Sequence, residues 1–347
     1  MTSGNDDTII RTRPSPCCSI CGAPGKPLYK KTRDRLFDVP GEWDLSKCPN
    51  VDCGLIWLDP MPVEEDIGKA YRVYFTHHTR TKHASRSQRF KRFLDNSYLS
   101  SRFGYHAVAQ PWATVFGWVR GLSPRKRTAL DFRIMHLPAQ PGGKLLEVGC
   151  GSGEMLKVMQ ELGWGAEGID FDQKAVENAQ GKGLRVVHGT LEAQEYPNDH
   201  FDAVTMSHLI EHVQEPGQLL AECHRILKPA GRLVIATPNA ESWGHRLFAS
   251  SWFPLEPPRH LHVFNHSSLT LLAQKSGFRI VKLFTTINNA STIFISSRAI
   301  RSTGRDNPQP WRIRRWGKAM MLMEWGILHV SPYVGEELVV VLEKESG

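Results

Sequence analysis

Several absences bound the reading. No stretch of 18 apolar residues occurs in the 347-residue chain, which excludes an ordinary membrane-spanning helix. The nearest approach, Met320 to Val330, is short and interrupted by Glu324. The N-terminus, MTSGNDDTII, lacks a basic stretch followed by an apolar one, so no secretory signal is expected and the chain reads as cytoplasmic. Cysteine is scarce, at seven residues, and in a reducing compartment these are thiols or metal ligands rather than disulfides. No internal repeat or long low-complexity tract is present. Acidic residues nearly vanish between Tyr71 and Leu137, where thirteen Lys and Arg face only Asp95 and Asp131, in a chain of net charge +8. Such a surplus points to an anionic partner: a phosphate-bearing substrate, nucleic acid, or an acidic membrane surface contacted peripherally. A solvated helical face is the competing explanation.

What is present divides into segments. Residues 1–16 read as a disordered tail, 17–60 as a turn-rich module with paired cysteines at each end, and 61–141 as a basic, mostly helical segment or lid. After Pro141-Gly142-Gly143 the pattern changes. Short apolar runs at Lys144–Gly149, Gly165–Asp170, Leu184–His188, Phe201–Ser207, Arg232–Thr237, Phe278–Thr286 and Glu337–Glu343 alternate with helix-like segments. That alternation predicts an α/β domain over 142–347, a doubly wound, seven-stranded, mostly parallel sheet. Residues 297–333, rich in Arg and Trp, are expected as a helical insertion.

The strongest motif is Leu145-Leu146-Glu147-Val148-Gly149-Cys150-Gly151-Ser152-Gly153, an apolar strand running into a glycine loop and a helix. Glycine lets the backbone turn tightly and lets a ligand lie against it, and the helix N-terminus offers free N–H groups. Asp170 closes the next strand 21 residues after Gly149, where a carboxylate can take both hydroxyls of a ribose. A dinucleotide fingerprint, G-x-G-x-x-G, would need glycine at Glu154. Glu147 would repel a pyrophosphate and attract a sulfonium bearing an α-amino group.

These residues resemble the class I S-adenosylmethionine (SAM)-dependent methyltransferases, with a Rossmann-like fold, over roughly Gly142 to Gly347. The phrases from His200-Phe201-Asp202 to Glu211-His212-Val213, and Leu227-Lys228-Pro229-Ala230-Gly231, are similar too. The resemblance implies that Glu147, Gly149, Gly151 and Gly153 hold the methionine part of SAM, and that Asp170, with Phe171 beside it, binds the ribose. Thr190 and Leu191 would flank the adenine, and His208 would lie beside the methionine moiety.

Cys18-Ser-Ile-Cys21 and Cys48-Pro-Asn-Val-Asp-Cys53 form two knuckles. Four thiolates on two tight turns make a tetrahedral structural zinc site, with Cys17 as an alternative to Cys18. The run Cys53-Gly-Leu-Ile-Trp-Leu-Asp-Pro-Met-Pro62 resembles the zinc module that precedes some sugar and natural-product methyltransferases, in which the second pair is C-x2-C rather than the C-x4-C found here.

Methyl transfer to a hydroxyl needs an aligned nucleophile and a base, and histidine suits that role. Two clusters compete. His208-Leu-Ile-Glu211-His212 resembles the E-x-x-E-H stretch that binds a divalent metal in ubiquinone-biosynthesis O-methyltransferases, with His208 standing in place of the first acid. Glu256-Pro-Pro-Arg259-His260-Leu-His262-Val-Phe264 is similar to the substrate loop of deoxysugar C-methyltransferases, and His260 holds the position of its histidine. His260, His212 and Glu211 are therefore the catalytic candidates. Arg259, His262, His77 and Trp252 are the substrate candidates, Trp252 as a stacking surface.

The function expected is methyl transfer to a small molecule: a sugar, glycan intermediate or natural product, phosphate-bearing if the basic segment faces it. An RNA methyltransferase is the alternative that the zinc module and basic segment allow. Against it, Ser207-His208-Leu209-Ile210 replaces the N-P-P-Y-type signature of amino-group methylation, and the cysteine pattern differs from the C-x2-C…C-x3-H of zinc-bearing rRNA guanine methyltransferases. A non-catalytic SAM-fold scaffold is the third reading.

Overall fold

A computed structural model describes residues 9–71, 86–105 and 113–345. In chain order the elements used below are β1 (Lys26–Thr32), β2 (Trp43–Lys47), β3 (Ile56–Leu58), α1 (Arg86–Phe103), α2 (Ala113–Gly121), α3 (Pro124–Arg133), β4 (Lys144–Val148), α4 (Glu154–Glu161) and β5 (Gly165–Asp170). There follow α5 (Gln173–Gln180), β6 (Val186–His188), β7 (Phe201–Ser207), α6 (Pro216–Ile226), β8 (Leu227–Pro238), β9 (His262–Val263), α7 (His266–Lys275), β10 (Phe278–Thr286), α8 (Ala290–Thr303), α9 (Trp311–Ile327) and β11 (Glu337–Lys344). The main sheet has seven strands in the order β10-β11-β8-β7-β4-β5-β6. The insertion expected at 297–333 consists of α8 and α9, and it begins earlier, at Ala290.

Compactness divides the chain into two units, and not at residue 142. One holds Met1–Tyr74, His208–Ala221 and Ala236–Val341; the other holds Phe75–Ser207, Glu222–Ile235 and Leu342–Gly347. In the first, β1, β2 and β3 form an antiparallel sheet that is completed by β9, pairing His262 with Trp57 and Val263 with Ile56. This pairing ties the cysteine-bearing segment to the loop that carries His260. Residues 10–16, expected as tail, are structured instead. Thr12 and Arg13 pair with Pro62 and Met61, Ile10 is buried, and Arg11 makes an ion pair with the buried Asp66.

In the second unit β4, β5, β6 and β7 are parallel, and Val148 lies opposite both Ile169 and Met206. Leu145 to Val148 are all buried, the continuous apolar pattern of a strand covered on both faces. The carboxyl ends of β4, β5 and β7 therefore open on one edge, where ligands bind in such sheets. α5 is capped by Asp172, whose side chain accepts from the N–H groups of Lys174 and Ala175.

Candidate active site

In the second unit the glycine loop follows β4. Gly149, Gly151 and Gly153 all have positive φ, which favours glycine. At Gly153, the N-cap of α4, an added Cβ would come within 2.4 Å of Leu184 Cδ1. At Gly151 it would meet none of the described residues within 4 Å, which leaves the backbone there room for a ligand. Asp170 fastens the loop: Gly151 N donates to its Oδ2 at 2.7 Å and Asp172 N to its Oδ1 at 2.9 Å. These bonds leave further lone pairs for ribose hydroxyls. Glu147 is buried, and among the described residues its Oε2 has no hydrogen-bond partner. Burial, and then the charge of Asp170, raise the Glu147 carboxyl well above its usual range; Asp170 is itself raised by burial. An orphaned carboxylate oxygen beside a second buried carboxylate is a site lacking a cation or donor, which the sulfonium and ammonium of SAM fit. Phe171 is 51% exposed just past Asp170, Thr190 is exposed and Leu191 is buried.

The first unit gathers the histidines. His208, at φ 52, lies in the left-handed region, a conformation costly for a non-glycine residue. It is held there by ion pairs, Nδ1 to Glu211 Oε1 at 3.4 Å and Nε2 to Glu337 Oε1 at 3.1 Å. Burial would lower its pKa, but the two carboxylates outweigh burial and push it up to about 10, so His208 is a cation. Glu211 is pushed down to about 2, His208 overcoming the effect of burial. Its Oε2 accepts from Thr237 Oγ1 at 2.9 Å.

His260 and His212 lie edge to face, ring centroids 4.6 Å apart. Nδ1 of His260 is 2.7 Å from Pro254 O, and Nδ1 of His212 is 3.0 Å from Arg259 O. A carbonyl oxygen only accepts, so Nδ1 of His260 carries the proton and its Nε2 a lone pair; Nδ1 of His212 faces both a carbonyl and the Tyr71 hydroxyl, which can donate or accept. Burial lowers each imidazole to about 4, leaving both as free bases at neutral pH. Tyr71 Oη is 2.8 Å from His212 Nδ1, and Glu256 Oε2 is 3.7 Å from His260 Nε2. Glu211, His212 and His260 place donor atoms within 4.8 Å of one another, a set able to hold a divalent ion. The His208 imidazolium already supplies positive charge to that carboxylate, so the arrangement fits proton handling better than a metal.

Three of the residues expected at the substrate are structural. Arg259 is wholly buried: Nη2 and Nη1 donate to Asp34 Oδ1 and Oδ2 at 2.8 and 2.9 Å, and Nε to Glu256 Oε1 at 2.8 Å. Trp252 is buried, stacked on His245, and donates Nε1 to Glu336 at 2.8 Å. His262 is buried between Val213 O and Ser19 Oγ. His77 lies outside the described residues. Sequence reasoning missed Tyr71, Glu337 and Asp34, because each is brought in from a distant stretch of chain.

Cys18, Cys21, Cys48 and Cys53 converge, with sulfur–sulfur distances of 3.6 Å (Cys18 to Cys53) and 3.4 Å (Cys21 to Cys48). A tetrahedron with Zn–S bonds of about 2.3 Å has edges of roughly 3.8 Å, so the four thiols can hold zinc with little adjustment. Cys17 is exposed and outside the cluster.

A methyltransferase-domain family model matches residues 123–283. A ubiquinone biosynthesis O-methyltransferase of Thiobacillus denitrificans is 30% identical over 155 residues, covering 41% of this chain and 67% of that one. A protein of Mycolicibacterium smegmatis named as a probable S-adenosylmethionine-dependent methyltransferase is 29% identical over 158 residues, covering 45% of this chain and 59% of its own length. A solved SAM-dependent methyltransferase from Archaeoglobus fulgidus has 20% identity and a TM-score of 0.45 over 67% of this chain and 100% of that one. The chain belongs to the class I SAM-dependent methyltransferases.

Proposed function

We propose that this chain methylates a hydroxyl of a small molecule, in the class of sugars, glycan intermediates or natural products, with His260 as general base. The O-methyltransferase names of relatives support an oxygen acceptor. The observation that carries the reading is the 2.7 Å contact of His260 Nδ1 with Pro254 O: a carbonyl accepts, which assigns the proton to Nδ1 and leaves Nε2 of this buried ring, lowered to about 4, to act as the base.

When bound, SAM supplies an electrophilic methyl group on a sulfonium. Glu147 would take the ammonium of its methionine part, Gly149, Gly151 and Gly153 would give it backbone to lie on, and Asp170 would take the ribose hydroxyls. Phe171, Thr190 and Leu191 would border the adenine, and His208, the first residue after β7, would face the methionine moiety. His260 Nε2 would accept the acceptor's proton as the oxygen attacks. The buried Glu211 carboxylate would compensate the resulting imidazolium, and the Pro254 carbonyl would keep the ring oriented. A structural zinc on Cys18, Cys21, Cys48 and Cys53 would fix the segment that pairs with the His260 loop; four thiolates leave no position open for a substrate.

The test is His260→Gln, assayed with labelled SAM against a panel of hydroxylated sugars, nucleotide sugars and phenols. Turnover should fall about a hundredfold or more, with SAM affinity within a factor of about two. Full turnover on an acceptor used by the wild type would remove His260 as the base.

A further inference from the structure

One helix of the second unit turns its apolar stripe outward. In α2 and the residue just past it, Val115, Trp118, Val119 and Leu122 are 64%, 75%, 59% and 80% exposed. Their spacing, i, i+3, i+4 and i+7, is that of a helix face normally buried against a core. The opposite side is already packed: at Gly117 an added Cβ would come within 2.6 Å of Ser97 O and Ser101 Oγ of α1, and Arg120 pairs with Asp95. The stripe is therefore the outward face of α2. Phe90 on α1 is also 58% exposed.

Charge identifies what covers the stripe. Immediately after Leu122, α3 presents Arg125, Lys126 and Arg127 to solvent, with Arg133 at its end. The two acids of this segment are turned away from solvent. Asp95 is taken by Arg120, and the buried Asp131 accepts from Tyr98 Oη at 2.6 Å and pairs with Arg102 at 3.3 Å. A second copy packed stripe to stripe would set basic residues against basic residues. An RNA would meet the arginines but leave two aliphatic valines and a leucine in water. A bilayer with anionic headgroups satisfies both halves, taking Trp118, Val115, Val119 and Leu122 into the acyl boundary and Arg125, Lys126 and Arg127 at the headgroups. We propose that α2 and the basic start of α3 dock this enzyme on an anionic membrane surface, lying in the interface without spanning it.

The experiment is co-sedimentation of the full chain with vesicles of phosphatidylcholine alone and of phosphatidylcholine mixed with phosphatidylglycerol. The chain should bind the mixed vesicles and bind the neutral ones far more weakly. Binding should weaken as ionic strength rises from about 0.01 to about 1 M and the screening length falls from about 30 to about 3 Å. Arg125→Gln with Lys126→Gln should weaken it about fivefold per charge, and Trp118→Ser with Leu122→Ser about tenfold or more per residue. SAM affinity and far-ultraviolet circular dichroism should be unchanged in both variants. Absence of sedimentation with any vesicle overturns the proposal, as does equal binding by wild type and both variants. Self-association or RNA binding that these variants abolish, without vesicle binding, assigns the face to a second copy or to nucleic acid and equally overturns it.

Discussion

Replacing Arg259 with methionine keeps most of the side-chain volume and removes only the guanidinium. The structure fixes what is lost. Three short charge-assisted bonds disappear, two to Asp34 and one to Glu256, and the side chains of Arg259 and Asp34 are wholly buried. Asp34 retains backbone donors from Leu36, Phe37 and Val39, yet both carboxylates are left without their buried counter-charge. Stranding a buried charge in this way costs about 3–5 kcal/mol. For a unit of this size that corresponds to a midpoint lowered by roughly 6–20 °C. Thermal and urea unfolding followed by circular dichroism measure it directly. Adding Asp34→Asn and Glu256→Gln to Arg259→Met removes the stranded charges and should restore part of the loss, giving a coupling a double-mutant cycle detects. Because His260 is the next residue, Arg259→Met should also lower turnover more than SAM affinity. A variant within about 0.5 kcal/mol of wild type would refute the reasoning, since surface substitutions behave that way and buried counter-ions do not.

Two other outcomes follow from the same unit. His212 and His260 sit at about 4 when folded and near 6.5 when unfolded, so below pH 6.5 the unfolded chain takes up protons that the folded chain refuses. Their stabilising contribution is full above 6.5 and declines as pH falls toward 4, by about 1.4 kcal/mol per pH unit for each histidine. Urea midpoints that fall from about pH 6.5 to about pH 4.5, with a shallower fall in His260→Gln, are expected; a flat profile contradicts the burial argument. The cysteine cluster should carry about one zinc per chain by atomic absorption, and Cys48→Ser should lose it together with stability. Zinc retained in that variant, or absent from the wild type, would contradict the assignment.

The parts of the fold that were legible in the sequence were those in which one local pattern serves one purpose. β4 is buried on both faces and reads as an unbroken apolar run, and the glycines after it are there because the backbone must turn with positive φ. The cysteine knuckles announce themselves by spacing. What could not be read depends on partners far away in the chain. Arg259 looks like an exposed substrate contact until Asp34, 225 residues distant, is brought against it. Residues 10–16 look like tail until Pro62 and Met61 pair with Thr12 and Arg13. Trp252 looks like a stacking platform until Glu336 captures its indole N–H. The candidate base was legible as a residue but not as a tautomer, because the Pro254 carbonyl that fixes its proton follows from the turn of the loop rather than from any motif.

The central claim is that Glu147, the loop around Gly151 and Asp170 form a SAM site, and calorimetric titration of SAM into wild type and Asp170→Ala tests it most directly. The wild type should bind SAM and not NAD, and the variant should bind SAM at least about tenfold more weakly, the loss expected for hydrogen bonds to a charged group. Unchanged affinity in Asp170→Ala, or a wild type that takes NAD in place of SAM, would contradict it.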